Sequence, residues 1–244
     1  MKSSRLPGKA LLDICGKSLI QRLLDRICEV VANEKVVVCT TFSPSDDLIE
    51  KSALEYGVHC YRGEELDVMG RFLSAAEKFS AKDIVRVTGD NPFTDPYLIS
   101  NLVEKHLLSS AEYTFTTDLP IGTRSEVINV SALKRIHSQI VDPQSSEYMT
   151  YMLNRPDKLK TLEVKETNSK LVRPELSLTV DTNKDIELVR QIYQHFNSVI
   201  PSLEAVIAWL DAAPEINASV GRNQLEMPAH INCSYFGDAL SVDG

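Results

Sequence analysis

Strands alternating with helices, a continuous β-branched run from Lys35 to Thr41 and carboxylates set directly behind apolar strand ends predict one fold class. It is α/β, a mostly parallel mixed sheet with flanking helices, because buried parallel strands read as unbroken apolar runs and need helical crossovers.

The elements follow in order. Ser18-Leu19-Ile20-Gln21 is a capping box, and Leu19, Ile20, Leu23, Leu24, Ile27, Val30 and Val31 recur at helical spacing behind it. The Lys35–Thr41 strand comes next, then a helix opened by Ser43-Pro44 and closed by Gly57. A short strand at Val58–Tyr61, a helix at Leu66–Phe79 and a buried strand at Asp83–Val87 lead into Thr88-Gly89-Asp90. Asp95-Pro96 starts a helix reaching about Leu108, and Tyr113–Thr116 is a strand. The second half is less regular, with strands expected at Ser125–Asn129, Leu159–Val164 and Leu176–Val180. Helices are expected at Ser131–Ser138, Ser145–Leu153, Lys184–Phe196 and Leu203–Leu210. Periodicity fades from Ala213, so residues 1–214 read as one domain and 215–244 as a C-terminal tail or arm.

With 244 residues, 43% of them hydrophobic, the chain can build a core without disulfides or a structural metal. The five cysteines form no C-x-x-C pair and read as reduced core residues. A net charge of −8 argues against a nucleic-acid partner. No apolar stretch is long enough to span a membrane and no signal core follows Met1, which makes a cytoplasmic protein the expectation. The five histidines are scattered without ligand spacing, and Trp209 reads as a packing anchor for the last helix or part of a homodimer contact.

Three segments carry candidate chemistry. Ser3-Ser4-Arg5-Leu6-Pro7-Gly8-Lys9 sets free backbone amides at Gly8 between two cations, a composition suited to phosphate, with Lys17 just ahead of a helix N-terminus. Val87-Thr88-Gly89-Asp90 puts a carboxylate at the end of a buried strand, where α/β sheets bind ligands. Val180-Asp181-Thr182 repeats that arrangement, although an Asp there also serves simply as a helix cap. Two strand-end carboxylates match a Mg²⁺ ion held mainly by substrate phosphates.

R-L-P-G-K, then Asp13-Ile14-Cys15-Gly16-Lys17, then Gly89-Asp90-Asn91-Pro92, then Val180-Asp181-Thr182 with Asp185-x-Glu187-Leu188-Val189-Arg190 resembles the cytidylyltransferase family. Within it the likeness is nearest to the spore-coat polysaccharide branch, which Arg62-Gly63-Glu64, Asp67-Val68-Met69-Gly70-Arg71-Phe72 and Pro120-x-Gly122 before Glu126-Val127 also match. The resemblance implies a glycosyltransferase-A-like fold and transfer of CMP from CTP to a sugar acid or related sugar, with pyrophosphate released. It implies Arg5, Lys9 and Lys17 as catalytic cations; Arg5, Gly8, Lys9, Arg71 and Gly89 around the nucleotide; Asp90 and Asp181 on Mg²⁺; and Glu126 and Glu147 on the sugar side.

The family opens with an apolar strand ending in Gln-Ala-Arg ahead of this loop. Met1 falls inside the loop, so that strand is expected to be absent, through a start assigned too late or a truncated protein. Glu147-Tyr148 stands where the branch has Glu-His, and Ile121–Ser125 replaces a more acidic run, pointing to another sugar or to lost chemistry. Two alternatives stay open: a nucleotide-sugar-dependent glycosyltransferase of the same fold, and a truncated, non-catalytic nucleotide-binding protein.

Overall fold

The computed structural model describes residues 6–197, 199–219 and 233–236. Its first elements follow from the turn chemistry of residues 13–18. β1 (Asp13–Ile14) and β2 (Lys17–Ser18) pair antiparallel across Cys15 and Gly16, both at positive φ, as a tight two-residue hairpin requires. The capping box then forms as expected, and α1 (Leu19–Ile27) follows.

β3 (Val37–Thr41) and β4 (His59–Gly63) pair in parallel around α2 (Asp47–Tyr56), which ends at Gly57 with φ 90°. α3 (Val68–Lys78) starts at an Asp67 cap, β5 (Asp83–Arg86) follows, and α4 (Pro96–Ser109) starts at an Asp95 cap. β6 (Tyr113–Phe115), β7 (Glu126–Asn129) and α5 (Val130–His137) come next. The helix expected over Ser145–Leu153 divides into a 3-10 turn, Pro143–Tyr148, and α6 (Met149–Leu153). β8 (Thr161–Glu163), α7 (Asn183–His195), α8 (Leu203–Ala212) and α9 (Pro214–Ser219) complete the described elements.

β5, β7, β6 and β8 form one sheet in that order. β7 runs antiparallel to β5 and β6 while β6 and β8 are parallel, so β5, β6 and β8 point one way and β7 alone opposes them. This is the mixed, mostly parallel arrangement the sequence predicts.

The strand expected at Leu176–Val180 does not form a ladder. Its single bridge among the described residues, Ile121 to Ser177, ends where Gly122 turns at φ +87° and Thr123 N–H bonds back to Pro120 O at 3.2 Å. Its apolar side chains are nonetheless buried, with Leu176, Leu178 and Val180 packing on α7 and α8. Trp209 is half-buried against the same core, its ring centroid 5.3 Å from that of His195. All five cysteines are free and half-buried, and burial first of all pushes the Cys39 and Cys60 thiols up to about 11.

Within the segment placed beyond the domain, Cys233–Phe236 lies against it. Tyr235 is 2% exposed, bridges Ile140 and donates its hydroxyl to Met152 O. No helix among the described residues is long and apolar enough to cross a membrane.

Candidate active site

Three distant segments meet at one ammonium group. Gly8, at φ +69°, turns the chain into a short 3-10 helix that begins with Lys9, and Lys9 is 8% exposed. Beyond β5 the chain leaves the sheet through Thr88 and Gly89, and a turn closed by Asn91 N–H on Thr88 O presents Asp90. Asp181 is positioned from the other side by the capping box of α7. There the Asp185 carboxylate accepts the N–H groups of Asp181 at 3.0 Å and Thr182 at 2.7 Å. The two carboxylate segments are tied by Val180 N–H donating to Asp90 O at 2.9 Å.

Lys9 Nζ enters between them. It donates to Asp90 Oδ2 at 2.7 Å, Asp181 Oδ1 at 2.9 Å and Val180 O at 2.7 Å, which uses all three ammonium protons. Burial opposes the charged form, but the two carboxylates outweigh it and hold the Lys9 pKa above its ordinary value.

The donor set fits Mg²⁺. Two strand-end carboxylates are brought together, the number that a Mg²⁺ ion bound with substrate phosphates takes from a protein, and in this structure the Lys9 ammonium occupies the point between them. Among the described residues no cluster of three or more acidic, His or Cys side chains offers a protein-only cage.

A cavity of about 1260 Å³ opens beside this site, and Lys9, Asp90, Gly89, Arg71 and Glu147 all reach it. Arg71, on α3, donates to the carbonyls of Glu64 and Glu65, while its Nε is buried with no hydrogen-bond partner among the described residues. Burial lowers the Arg71 pKa. Glu147 is exposed.

Glu126 sits in a saturated buried network. It accepts from Tyr113 OH at 2.6 Å, Arg86 Nη1 at 2.6 Å and Thr150 Oγ1 at 2.7 Å. Burial pushes its carboxyl up, but the Arg86 charge and the hydrogen bonds outweigh that and hold the pKa below the ordinary value. Lys17 stands apart, its ammonium bonded at 2.8 Å to both oxygens of Asp25 on α1. Arg5 lies outside the described residues.

Sequence reasoning gave no role to Arg86, Tyr113 or Thr150, and quoted Asp185 only as part of a motif. Arg86 faces Glu126 directly in the β5–β7 register, a pairing that only the antiparallel ladder creates. Asp185 had a readable signal, because Thr182-x-x-Asp185 has the spacing of a capping box.

Comparison with known proteins adds ancestry to this geometry. The sequence model of a family described as cytidylyltransferase matches residues 1–201. The spore coat polysaccharide biosynthesis protein SpsF of Bacillus subtilis is 31% identical over 199 residues, covering 80% of this chain and 83% of that protein. A 3-deoxy-manno-octulosonate cytidylyltransferase of Yersinia enterocolitica is 32% identical over 135 residues, 54% of this chain and 52% of that one. The solved structure of a cytidylyltransferase from Leptospira borgpetersenii superposes with a TM-score of 0.82 at 28% identity, covering 93% of this chain and 95% of that one.

Proposed function

The chain belongs to the cytidylyltransferase family, a family of nucleotidyltransferases, and from that premise we propose that it transfers CMP from CTP to a sugar acid or related sugar. The observation that carries this reading is the convergence of Lys9 with the strand-end carboxylates of Asp90 and Asp181 at the mouth of a large cavity. In the reaction an acceptor oxygen forms a bond to the α-phosphorus of CTP as the bond from that phosphorus to the β-bridging oxygen breaks. Pyrophosphate leaves, and the acceptor proton passes to solvent.

CTP is polyanionic and a sugar-acid acceptor adds a further negative charge, so the protein's task is positioning and charge neutralisation. Asp90 and Asp181 would hold Mg²⁺, which would supply positive charge to the triphosphate. Lys9 adds a fixed positive charge beside those carboxylates, and the backbone at Gly8 and Gly89 allows close approach of a phosphate. Arg71, with an unpartnered Nε, offers a donor inside the cavity. Arg5 is assigned to the triphosphate on the sequence resemblance alone. Glu147 reaches the acceptor side. Glu126 is better suited to shaping that wall than to meeting substrate, because three donors already occupy its carboxylate.

The names of the SpsF and 3-deoxy-manno-octulosonate relatives support a sugar-acid acceptor and a place in surface-glycan synthesis. Thermal unfolding with CTP, UTP, GTP and ATP, each with and without Mg²⁺, tests the nucleotide assignment. CTP with Mg²⁺ at about 100 times its dissociation constant stabilises the native state by about 2.7 kcal/mol, and Asp90→Asn abolishes the shift. Equal shifts with all four nucleotides, or an undiminished shift in Asp90→Asn, would contradict the proposal.

A further inference from the structure

Arg71 reaches the cavity from α3, but the acidic residue that opens that helix turns elsewhere. Asp67 caps α3 by accepting Gly70 N–H at 2.8 Å, and its backbone carbonyl accepts Arg71 N–H at 3.0 Å. The same carboxylate meets two other elements. His137, the last residue of α5, places Nε2 2.9 and 3.0 Å from its two oxygens. Ser146, within the 3-10 turn Pro143–Tyr148, sets its hydroxyl 3.3 Å from Oδ1. Ser146 is fully buried, and its Oγ accepts Met69 N–H at 3.1 Å. Gly70 belongs to this arrangement, because a Cβ there would lie 2.4 Å from Asp67 Oδ2. The residue after Ser146 is Glu147, which lines the cavity on the acceptor side.

We propose that Asp67 and Ser146 are positioning residues that tie the nucleotide side of the site, at Arg71, to the acceptor side, at Glu147. The inference rests on the cytidylyltransferase reading, which puts nucleotide at one and acceptor at the other. Asp67 lies one helical turn before Arg71, and Ser146 directly before Glu147. Rigid helices and hydrogen-bond networks carry coupling of this kind, so a shift of Arg71 onto a nucleotide moves Asp67 with it. The Ser146 hydroxyl has a single proton, facing Asp67 Oδ1 at 3.3 Å and Leu66 O at 3.5 Å. Both distances exceed the roughly 2.8 Å usual for a hydroxyl donor, so a small approach of α3 tightens the link. Tightening it fixes the turn that carries Glu147. His137 holds the Asp67 carboxylate from the third side, which keeps it aimed at Ser146 rather than at solvent.

Amide hydrogen exchange of residues 145–150, with and without CTP and Mg²⁺, tests this and needs no acceptor. Rates with and without ligand are compared within each variant, so a general loss of stability does not mimic lost coupling. In the wild type, saturating CTP and Mg²⁺ slow exchange there about tenfold. Ser146→Ala and Asp67→Ser, the latter keeping a capping hydroxyl for α3, each cut the slowing below about twofold. Their calorimetric CTP affinity stays within about threefold of wild type, because neither residue lines the cavity. The double variant loses no more than either single one, since both break one link. Asp67→Asn retains the coupling. Its amide oxygen still accepts from Gly70 and Ser146, and its NH₂ faces a His137 nitrogen that accepts in the other tautomer. Slowing that survives in both single variants would come from nucleotide touching the turn directly, and it overturns the inference alone. So do a wild type that binds CTP without slowing exchange, an Asp67→Asn loss as complete as that of Asp67→Ser, and losses that add in the double variant. No CTP binding by the wild type overturns the nucleotide reading and this inference with it.

Discussion

Replacing Lys9 with alanine removes the internal cation from between Asp90 and Asp181. Nζ lies 2.7 Å from one carboxylate and 2.9 Å from the other, and the three side chains are 10%, 26% and 22% exposed. At about 4 Å between charge centres and an effective dielectric of about 20, each attraction is worth roughly 4 kcal/mol before offsets. Desolvation of the ammonium and water at the site mouth cancel much of that. The variant, however, also leaves two carboxylates facing each other without a counter-charge. We expect a net loss of about 2–3 kcal/mol, seen as a drop of roughly 5–10 °C in the unfolding midpoint in Mg²⁺-free buffer at pH 7. The folded pKa of Lys9 is raised above its ordinary value of 10.5, so its contribution is complete below that pH. The gap between wild type and variant therefore stays flat through neutral pH and closes only as pH rises through the folded pKa. Millimolar Mg²⁺ without nucleotide stabilises Lys9→Ala more than wild type, because the carboxylate pair is no longer occupied by the ammonium. A variant as stable as wild type, or an equal Mg²⁺ response in the two, would refute the reasoning.

Three other perturbations have defined outcomes. Glu126→Gln replaces an acceptor of three hydrogen bonds with a group that can accept only through one oxygen, at a cost of about 2–4 kcal/mol at pH 7. Because the folded pKa of Glu126 is depressed below 4.5, denaturant titrations should show this deficit above that pH and its narrowing as pH falls further. Gly122→Ala puts a methyl group 2.3 Å from Thr179 N at a φ of +87°, so it costs more than about 2 kcal/mol. It also displaces the segment that ends at Asp181, and calorimetry should find weaker binding of CTP with Mg²⁺. Tyr235→Ala empties a site where the ring is 2% exposed, and chemical denaturation should show a loss of about 3 kcal/mol. An unchanged midpoint there would mean that residues 233–236 add nothing to the stability of the domain.

What could be read from the sequence was local. Ser18 and Gln21 cap the same turn, and Gly57 meets a left-handed requirement one residue past a helix, so both signals lie within a few positions of their effect. Asp90 and Asp181 were legible as candidates because each follows an apolar run. Their meeting was not, because Lys9 reaches them across 81 and 172 positions of sequence. Glu126 was likewise visible as a residue, while its confinement by Arg86 and Thr150 depends on register and on contacts 40 and 24 positions away. The Leu176–Val180 run has strand composition, yet its neighbour at Ile121 turns away at once, and composition carries no information about a partner's turn. Lys17 has the local setting of an anion ligand, and only the folded chain pairs it with Asp25.

The central claim is that nucleotidyl transfer occurs where Lys9, Asp90 and Asp181 meet. The most direct measurement is pyrophosphate release from CTP and Mg²⁺ across a panel of sugar acids and neutral sugars, with Asp181→Asn alongside. We predict release that depends on one class of acceptor, is matched mole for mole by a CMP-linked sugar, and falls by at least about a hundredfold in the variant. No acceptor-dependent release from a folded chain that binds CTP, or release that Asp181→Asn leaves intact, would contradict the account.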